Sequence, residues 1–248
     1  MTNQNFSKRL HYVVAIVSLV LAFATLPAGV FGQAATGTSG IKIGIIGSGN
    51  MGGTLGTLWV KSGHPVLFSS RHPEELKKLV DSLGPLARVG TVREALTFGE
   101  VVFIAVPYAA YPQLGKDYAQ EFKGKIVIDA GNAVPARDGE ISKEARENGI
   151  GMTSAKYLAG ARIVRAFNTL NYRRLANASN RPEGRIGIPM AGDDKEALAV
   201  ASSLVRDAGF DPVIIGSLER AKDFAQGAPL YGQEITAQEM QQRAKTLR

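Results

Sequence analysis

Ile41-Lys42-Ile43-Gly44-Ile45-Ile46-Gly47-Ser48-Gly49-Asn50-Met51-Gly52 passes from a β-branched run of strand length straight into a G-x-G-x-x-G loop, and Gly53 to Lys61 then reads as a helix. Strand, glycine loop and helix in that order are the context in which such a loop holds a dinucleotide pyrophosphate. Gly47 permits a tight turn, Gly49 lets backbone approach the phosphates, and Gly52 lets helix and strand pack closely. Backbone N–H groups at the helix start, with Ser48, Asn50 and Met51 between the glycines, are the expected phosphate donors. The bland alternative is a tight strand–helix turn without a ligand. Glycine is common here, 28 of 248 residues, so the weight rests on the strand and helix around the loop.

The next apolar run, Pro65 to Phe68, indicates which dinucleotide. It ends in Ser69-Ser70-Arg71, with His72 and Lys77 close behind, and no acid appears before Glu74. An NAD-preferring fold places Asp or Glu near here for the ribose 2′-hydroxyl. Two hydroxyls and a guanidinium instead suit a 2′-phosphate, since the planar Arg fork pairs with phosphate oxygens. Ser69, Ser70, Arg71 and His72 are therefore candidate 2′-phosphate ligands, and NADP(H) the expected cofactor. An ordinary polar strand end is the competing reading.

Strand and helix patterns continue to alternate. Pro73–Leu83 reads as helix, Val101–Val106 as a buried strand stopped by Pro107, Ala109–Phe122 as helix and Lys125–Asp129 as strand. A charged loop opens at Pro135 and runs to Glu140. Ala161–Phe167, Ile186–Ala191 and Asp211–Ile215 read as strands, Asp194–Ala208 as a long helix, and Gln233–Arg248 as a polar helical tail. Repeated βα units predict an α/β, Rossmann-type, doubly wound parallel sheet with ligands at the carboxyl ends of its strands. The predicted organisation is a nucleotide-binding domain over 41–160, a small α/β part over 161–230 and the tail over 231–248. The carboxyl-end rule puts Val106, Pro107 and Tyr108, with Ala130 and Asn132, over the nicotinamide.

Composition narrows the chemistry. Cysteine is absent and histidine occurs three times, so no metal site or thiol nucleophile is expected. Residues 1–34 carry Lys8 and Arg9 and no acid, then the apolar run Val13–Leu26 and a small-x-small pattern at Gly32-Gln33-Ala34. That order predicts an exported protein with a signal peptide over 1–34 and a linker over 35–40. The alternative is an uncleaved membrane anchor over 12–31, the one route by which a membrane partner is expected. The formal charge of +7 falls to +5 when Lys8 and Arg9 leave with that segment. So mild a charge suits small anionic ligands rather than nucleic acid. The expected partner is a small-molecule redox compound, with a homodimer left open.

GIIGSGNMGG (44–53), SSRHPEEL (69–76), AVPY (105–108), GKIVIDAGN (124–132), ARIVRAFNTL (161–170) and MAGDD (190–194) with GFDPVIIGSLERA (209–221) together resemble one family. Residues 41–222 are similar to the coenzyme F420-dependent NADP oxidoreductases and, more loosely, to the reductase domains of metalloreductases. The resemblance implies hydride transfer between NADPH and a deazaflavin, F420, or flavin-type partner. It implies cofactor contacts at Gly47, Gly49, Asn50, Met51, Gly52, Ser70 and Arg71, and Pro107 beside the nicotinamide. Ala166, Phe167, Asn168 and Thr169 would meet the hydride partner.

The residues leave the chemistry more open. Tyr108 reads as a proton donor or as packing against the cofactor, Asn168 as a donor to a ring carbonyl or as a helix cap, and Asp129 as a lone carboxylate orienting its loop. A small carbonyl or imine dehydrogenase and a non-catalytic NADP-binding protein are the two alternatives.

Overall fold

The computed structural model describes residues 40–247; the expected signal peptide or anchor and most of the linker lie outside the described residues. Eight strands form one sheet in the order β3-β2-β1-β4-β5-β6-β7-β8. They are β1 (Ile43–Ile46), β2 (Val66–Ser69), β3 (Ala87–Gly90), β4 (Val101–Ile104), β5 (Ile126–Asp129), β6 (Arg162–Arg165), β7 (Gly187–Gly192) and β8 (Asp211–Gly216). The first six run parallel, β7 lies antiparallel to β6, and β8 lies parallel to β7. The doubly wound α/β architecture is thus present, with a mixed edge where an all-parallel sheet was expected.

Eleven α-helices connect these strands among the described residues: α1 (Asn50–Lys61), α2 (Lys77–Leu83), α3 (Val92–Phe98), α4 (Tyr111–Asp117), α5 (Ala119–Phe122), α6 (Pro135–Asp138), α7 (Glu140–Asn148), α8 (Ile150–Tyr157), α9 (Tyr172–Ala178), α10 (Lys195–Asp207) and α11 (Ala237–Lys245). None is long and apolar enough to cross a membrane. Three differ from expectation. Ala87–Phe98, unassigned from sequence, forms β3 and α3, the helix started by a Thr91–Glu94 capping box. The charged stretch from Pro135 is not a loop but begins α6, with α7 and α8 following. The single helix expected over 109–122 is broken at Tyr118, whose φ of −128° and ψ of 28° leave the helical region.

Strands β1, β2, β4 and β5 are buried at every residue, because helices cover both sheet faces. Alternation along β4 sends Val101 and Phe103 into one apolar layer and Val102 and Ile104 into the other. The first layer holds Trp59 edge-on to Phe103 and Phe167, with Phe210 beyond. The sheet order reverses between β1 and β4, which opens a crevice at their carboxyl ends.

Candidate functional site

The loop from β1 to α1 is shaped by two glycines. Gly47 has φ +92°, and a Cβ there would lie 2.6 Å from both the Ala105 carbonyl oxygen and Val106 Cγ1. A Cβ on Gly52 would sit 2.2 Å from the Gly47 carbonyl oxygen, so the helix comes close to the strand only without a side chain. The N–H groups of Gly47 and Ser48 donate to the Ser69 carbonyl, at 3.2 and 3.0 Å, and tie the loop to β2. Gly49 is different: its φ of −72° suits any residue and the space beside it is empty to 4 Å. It stands at the start of α1, whose first-turn N–H groups have no preceding helical carbonyl to bond. Asn50 is exposed there, while Met51 packs against the core. Ser48 Oγ is buried, lacks a hydrogen-bond partner, and belongs to the wall of the adjoining cavity.

That cavity encloses about 590 Å³ and is walled by Gly47–Gly49, Ser69–Arg71, Val106–Pro107, and Ala109, Ala110 and Leu114 beyond β4. The size lies within the usual range of small-molecule sites, roughly 300–1,000 Å³. Arg71 is exposed and has no ion pair among the described residues. Ser70 Oγ accepts the His72 N–H at 3.1 Å, which leaves its own proton free to donate. Two of the expected 2′-phosphate ligands are placed otherwise. Ser69 is fully buried and its hydroxyl donates inward to the Ile45 carbonyl at 2.6 Å. His72 lies off the cavity, 3.4 Å from Glu74 on an exposed turn.

Beyond Pro107 the β5 and β6 loops meet. Asn132 Nδ2 donates to the Asn168 carbonyl at 2.7 Å, and Asn168 Nδ2 donates to the Phe224 carbonyl at 2.9 Å and, less closely, to Asn132 Oδ1 at 3.3 Å. Ala130 is buried beside them. The helix cap is not Asn168 but Asn171, which accepts from the Arg174 N–H at the start of α9. Phe167 adopts φ +63°, a costly conformation for an aromatic residue, and its ring is locked between Trp59, Phe103 and Phe210. Thr169 is buried and its carbonyl accepts from Gly232. The Phe167 side chain is therefore part of the core, and Thr169 is buried beside it. Tyr108 is fully buried too, with its hydroxyl donating to the Ile150 carbonyl at 2.9 Å and accepting from the Ser154 hydroxyl at 2.9 Å. Burial, reinforced by the Asp129 carboxylate, holds its pKa above the ordinary phenol value, and its hydroxyl is turned to α8 rather than to the cavity.

Charged side chains hold these loops, and apart from Asp129 the sequence reading passed over them. Asp129 is not alone: Arg165, its register partner on β6, places Nη1 2.8 Å from Oδ2, and both residues are fully buried. The contact is close for an ion pair, although neither atom reaches directional hydrogen-bond geometry. Buried Asp138 accepts the N–H groups of Val134 at 2.7 Å and Ala109 at 3.2 Å, which couples the β5 loop to the β4 loop. Arg137 pairs with it and donates to the Asn132 carbonyl at 2.6 Å. Arg165 was detectable as a charge between the apolar residues Val164 and Ala166; its pairing depended on register, which sequence does not display.

Comparison with known proteins agrees with this geometry. Residues 42–133 match the family NADP oxidoreductase coenzyme F420-dependent. The match to the family expected from the motifs covers little more than a third of the chain, the part that carries the glycine loop and Ser70-Arg71. Metalloreductase STEAP3 of Rattus norvegicus is 33% identical over 186 residues, 73% of this chain but 35% of that protein. Metalloreductase STEAP2 of Mus musculus is 28% identical, over 75% of this chain and 37% of that protein. The chain thus spans about a third of the length of these curated relatives. Among solved structures, the hypothetical protein SMa0349 from Sinorhizobium meliloti aligns with TM-score 0.66 and 27% identity, covering 79% of this chain and 95% of that one. A proposed F420-dependent NADP-reductase from Arthrobacter sp. FB24 aligns with TM-score 0.58 and 21% identity over 73% of this chain and 87% of that one, which speaks to fold. The matched segment is similar to NADP-dependent oxidoreductases, and binding of a nicotinamide dinucleotide is supported.

Proposed function

We propose that the protein binds NADPH in the cavity between β1, β2 and β4 and passes hydride to a deazaflavin- or flavin-type ring. The observation that carries the choice of NADPH is the cavity rim at the end of β2, where Ser70 and Arg71 stand in place of a carboxylate. The site fits such a cofactor on its own terms. Ser48 Oγ is an orphaned buried donor, and the open position at Gly49 leaves room for pyrophosphate beside the first turn of α1. Bound NADPH would supply the hydride. The protein's part is to hold the 2′-phosphate with Arg71 and Ser70, seat the pyrophosphate on Ser48 and Gly49, and fix the loops at Pro107 and Asn132. Transfer between two ring systems needs such positioning more than an acid or base. This favours a ring acceptor over a carbonyl or imine, because the Tyr108 hydroxyl, the expected donor for the latter, is engaged by Ile150 and Ser154.

The test is titration with NADPH and NADH, followed by single-turnover mixing of the NADPH complex with reducible F420 or FMN. Tighter binding of NADPH and oxidation by either ring is the expected result. Tighter binding of NADH would refute the cofactor assignment. Tight NADPH binding with no oxidation by either ring or by small carbonyl or imine substrates would instead favour a non-catalytic binding protein.

A further inference from the structure

Four polar contacts join Asp129, Tyr111 and Arg165 at the carboxyl end of β5, and two of them reach the backbone of Gly131. Asp129 Oδ1 accepts the Gly131 N–H at 2.8 Å and the Tyr111 hydroxyl at 2.5 Å. Arg165 Nη2 donates to the Gly131 carbonyl at 2.6 Å, while its Nη1 lies 2.8 Å from Asp129 Oδ2. Both polar groups of the Gly131 residue are thus drawn inward, and no side chain is tolerated, since a Cβ would lie 2.3 Å from the Tyr111 oxygen. An ion pair buried this completely is a poor way to glue two strands, because desolvation offsets most of its attraction and apolar residues of similar volume serve as well. The neighbouring residues Ile128 and Val164 are indeed apolar and buried. The pair sits instead at the strand ends, where ligands of this architecture bind. The loop it pins continues into Asn132, whose amide crosses to Asn168.

We propose that Arg165 and Asp129, braced by Tyr111, are positioning residues that lock the Gly131 peptide and so shape the seat of the nicotinamide half of the cofactor. This rests on the NADPH reading above. The adenosine half is held elsewhere, by Ser70 and Arg71, so the two halves can be tested separately with two ligands. NADPH carries both, and 2′,5′-ADP carries the adenosine half alone. Arg165→Lys keeps the charge but cannot reach Asp129 and the Gly131 carbonyl together as the guanidinium fork does. It should weaken NADPH at least about fivefold, the scale of one lost hydrogen bond, while 2′,5′-ADP stays within about twofold. The fluorescence lifetime of the bound nicotinamide should change with it. Tyr111→Phe removes one hydroxyl from a packed ring and keeps the test open if Arg165→Lys fails to fold; it should shift NADPH in the same sense by less. Equal weakening of both ligands in a folded variant, or no change in either with an unaltered lifetime, would overturn the positioning role alone. Wild-type protein that binds neither ligand would overturn the cofactor reading and this role together.

Discussion

Arg71 and Asp138 show how one charged side chain is put to opposite uses. Arg71 is exposed at the cavity rim with no ion pair among the described residues, so its guanidinium is free for an incoming phosphate. Arg71→Ala should cost about 1.5–3 kcal/mol of NADPH binding, the range for a hydrogen bond to a charged group, and leave NADH unchanged. Isothermal titration with both nucleotides checks this, and equal loss for the two would reject the 2′-phosphate contact. Asp138 is already satisfied. Burial alone would raise its pKa, but Arg137 and the N–H groups of Val134 and Ala109 hold it below the ordinary 3.8. A carboxyl depressed on folding stabilises above its unfolded pKa and loses that contribution as pH falls through the folded value. Asp138→Asn, which turns one acceptor into a donor facing donors, should therefore destabilise the protein by about 2–3 kcal/mol at pH 7. The gap to wild type should narrow as pH drops below 3.8. Urea unfolding at neutral and acid pH measures it; a gap that is independent of pH would mean that Asp138 is not the titrating group.

Within the β1–α1 element, the three glycines predict three different outcomes. Valine at position 49 enters empty space with an ordinary φ, so Gly49→Val should fold normally and lose both nucleotides, because its branches occupy the phosphate position. Alanine at 47 must adopt a left-handed φ and press on the Ala105 carbonyl, which should cost about 2–4 kcal/mol of stability. Gly52→Ala meets backbone at 2.2 Å and should be at least as damaging. Circular dichroism with NADPH titration separates these, and a folded Gly49→Val that still binds NADPH would discard the phosphate-loop reading. This element was legible because each glycine has a local reason, written in six consecutive residues. Elements whose reasons are distant were not. β3 is a short edge strand carrying Arg88 and ending in Gly90, so it lacks the apolar run that marked β4 and β5. Its following helix did carry a local sign, the Thr91-x-x-Glu94 capping box. Helix α7 buries only Ser142 and Ala145, too small an apolar face to stand out among its charges. At the candidate site the phosphate side was readable for the same reason. Which way Tyr108, Phe167 and Thr169 point depends on the packing of α8, Trp59 and the segment near Gly232, none of which is adjacent in sequence.

For the whole molecule, the sequence suggests a nucleotide domain ending near residue 160 and a smaller part after it, whereas the sheet runs without a break across that point. β5 and β6 pair from Ile126 with Arg162 to Asp129 with Arg165. Helix α1 also reaches across: Trp59 Nε1 donates to the Leu204 carbonyl at 2.8 Å, and His64 lies 3.0 Å from Asp207. A fragment 40–160 would lose Phe167, Leu198, Leu204, Val205 and Phe210 from the layer that buries Trp59 and Phe103. Each such side chain contributes about 1.5–3 kcal/mol when fully buried. Five of them together are comparable with the whole stability of an ordinary domain, about 5–15 kcal/mol. The fragment should therefore fail to fold although it contains every residue of the glycine loop. Trp59 is the sole tryptophan and reports the outcome directly. In the fragment its emission should lie at the solvent-exposed wavelength with no cooperative transition. In the full chain, Trp59 fluorescence and far-ultraviolet circular dichroism should unfold at one midpoint. A fragment with blue-shifted emission and a sharp transition of its own would show that residues 40–160 are an independent domain, and that the contacts of Trp59 with α10 are dispensable.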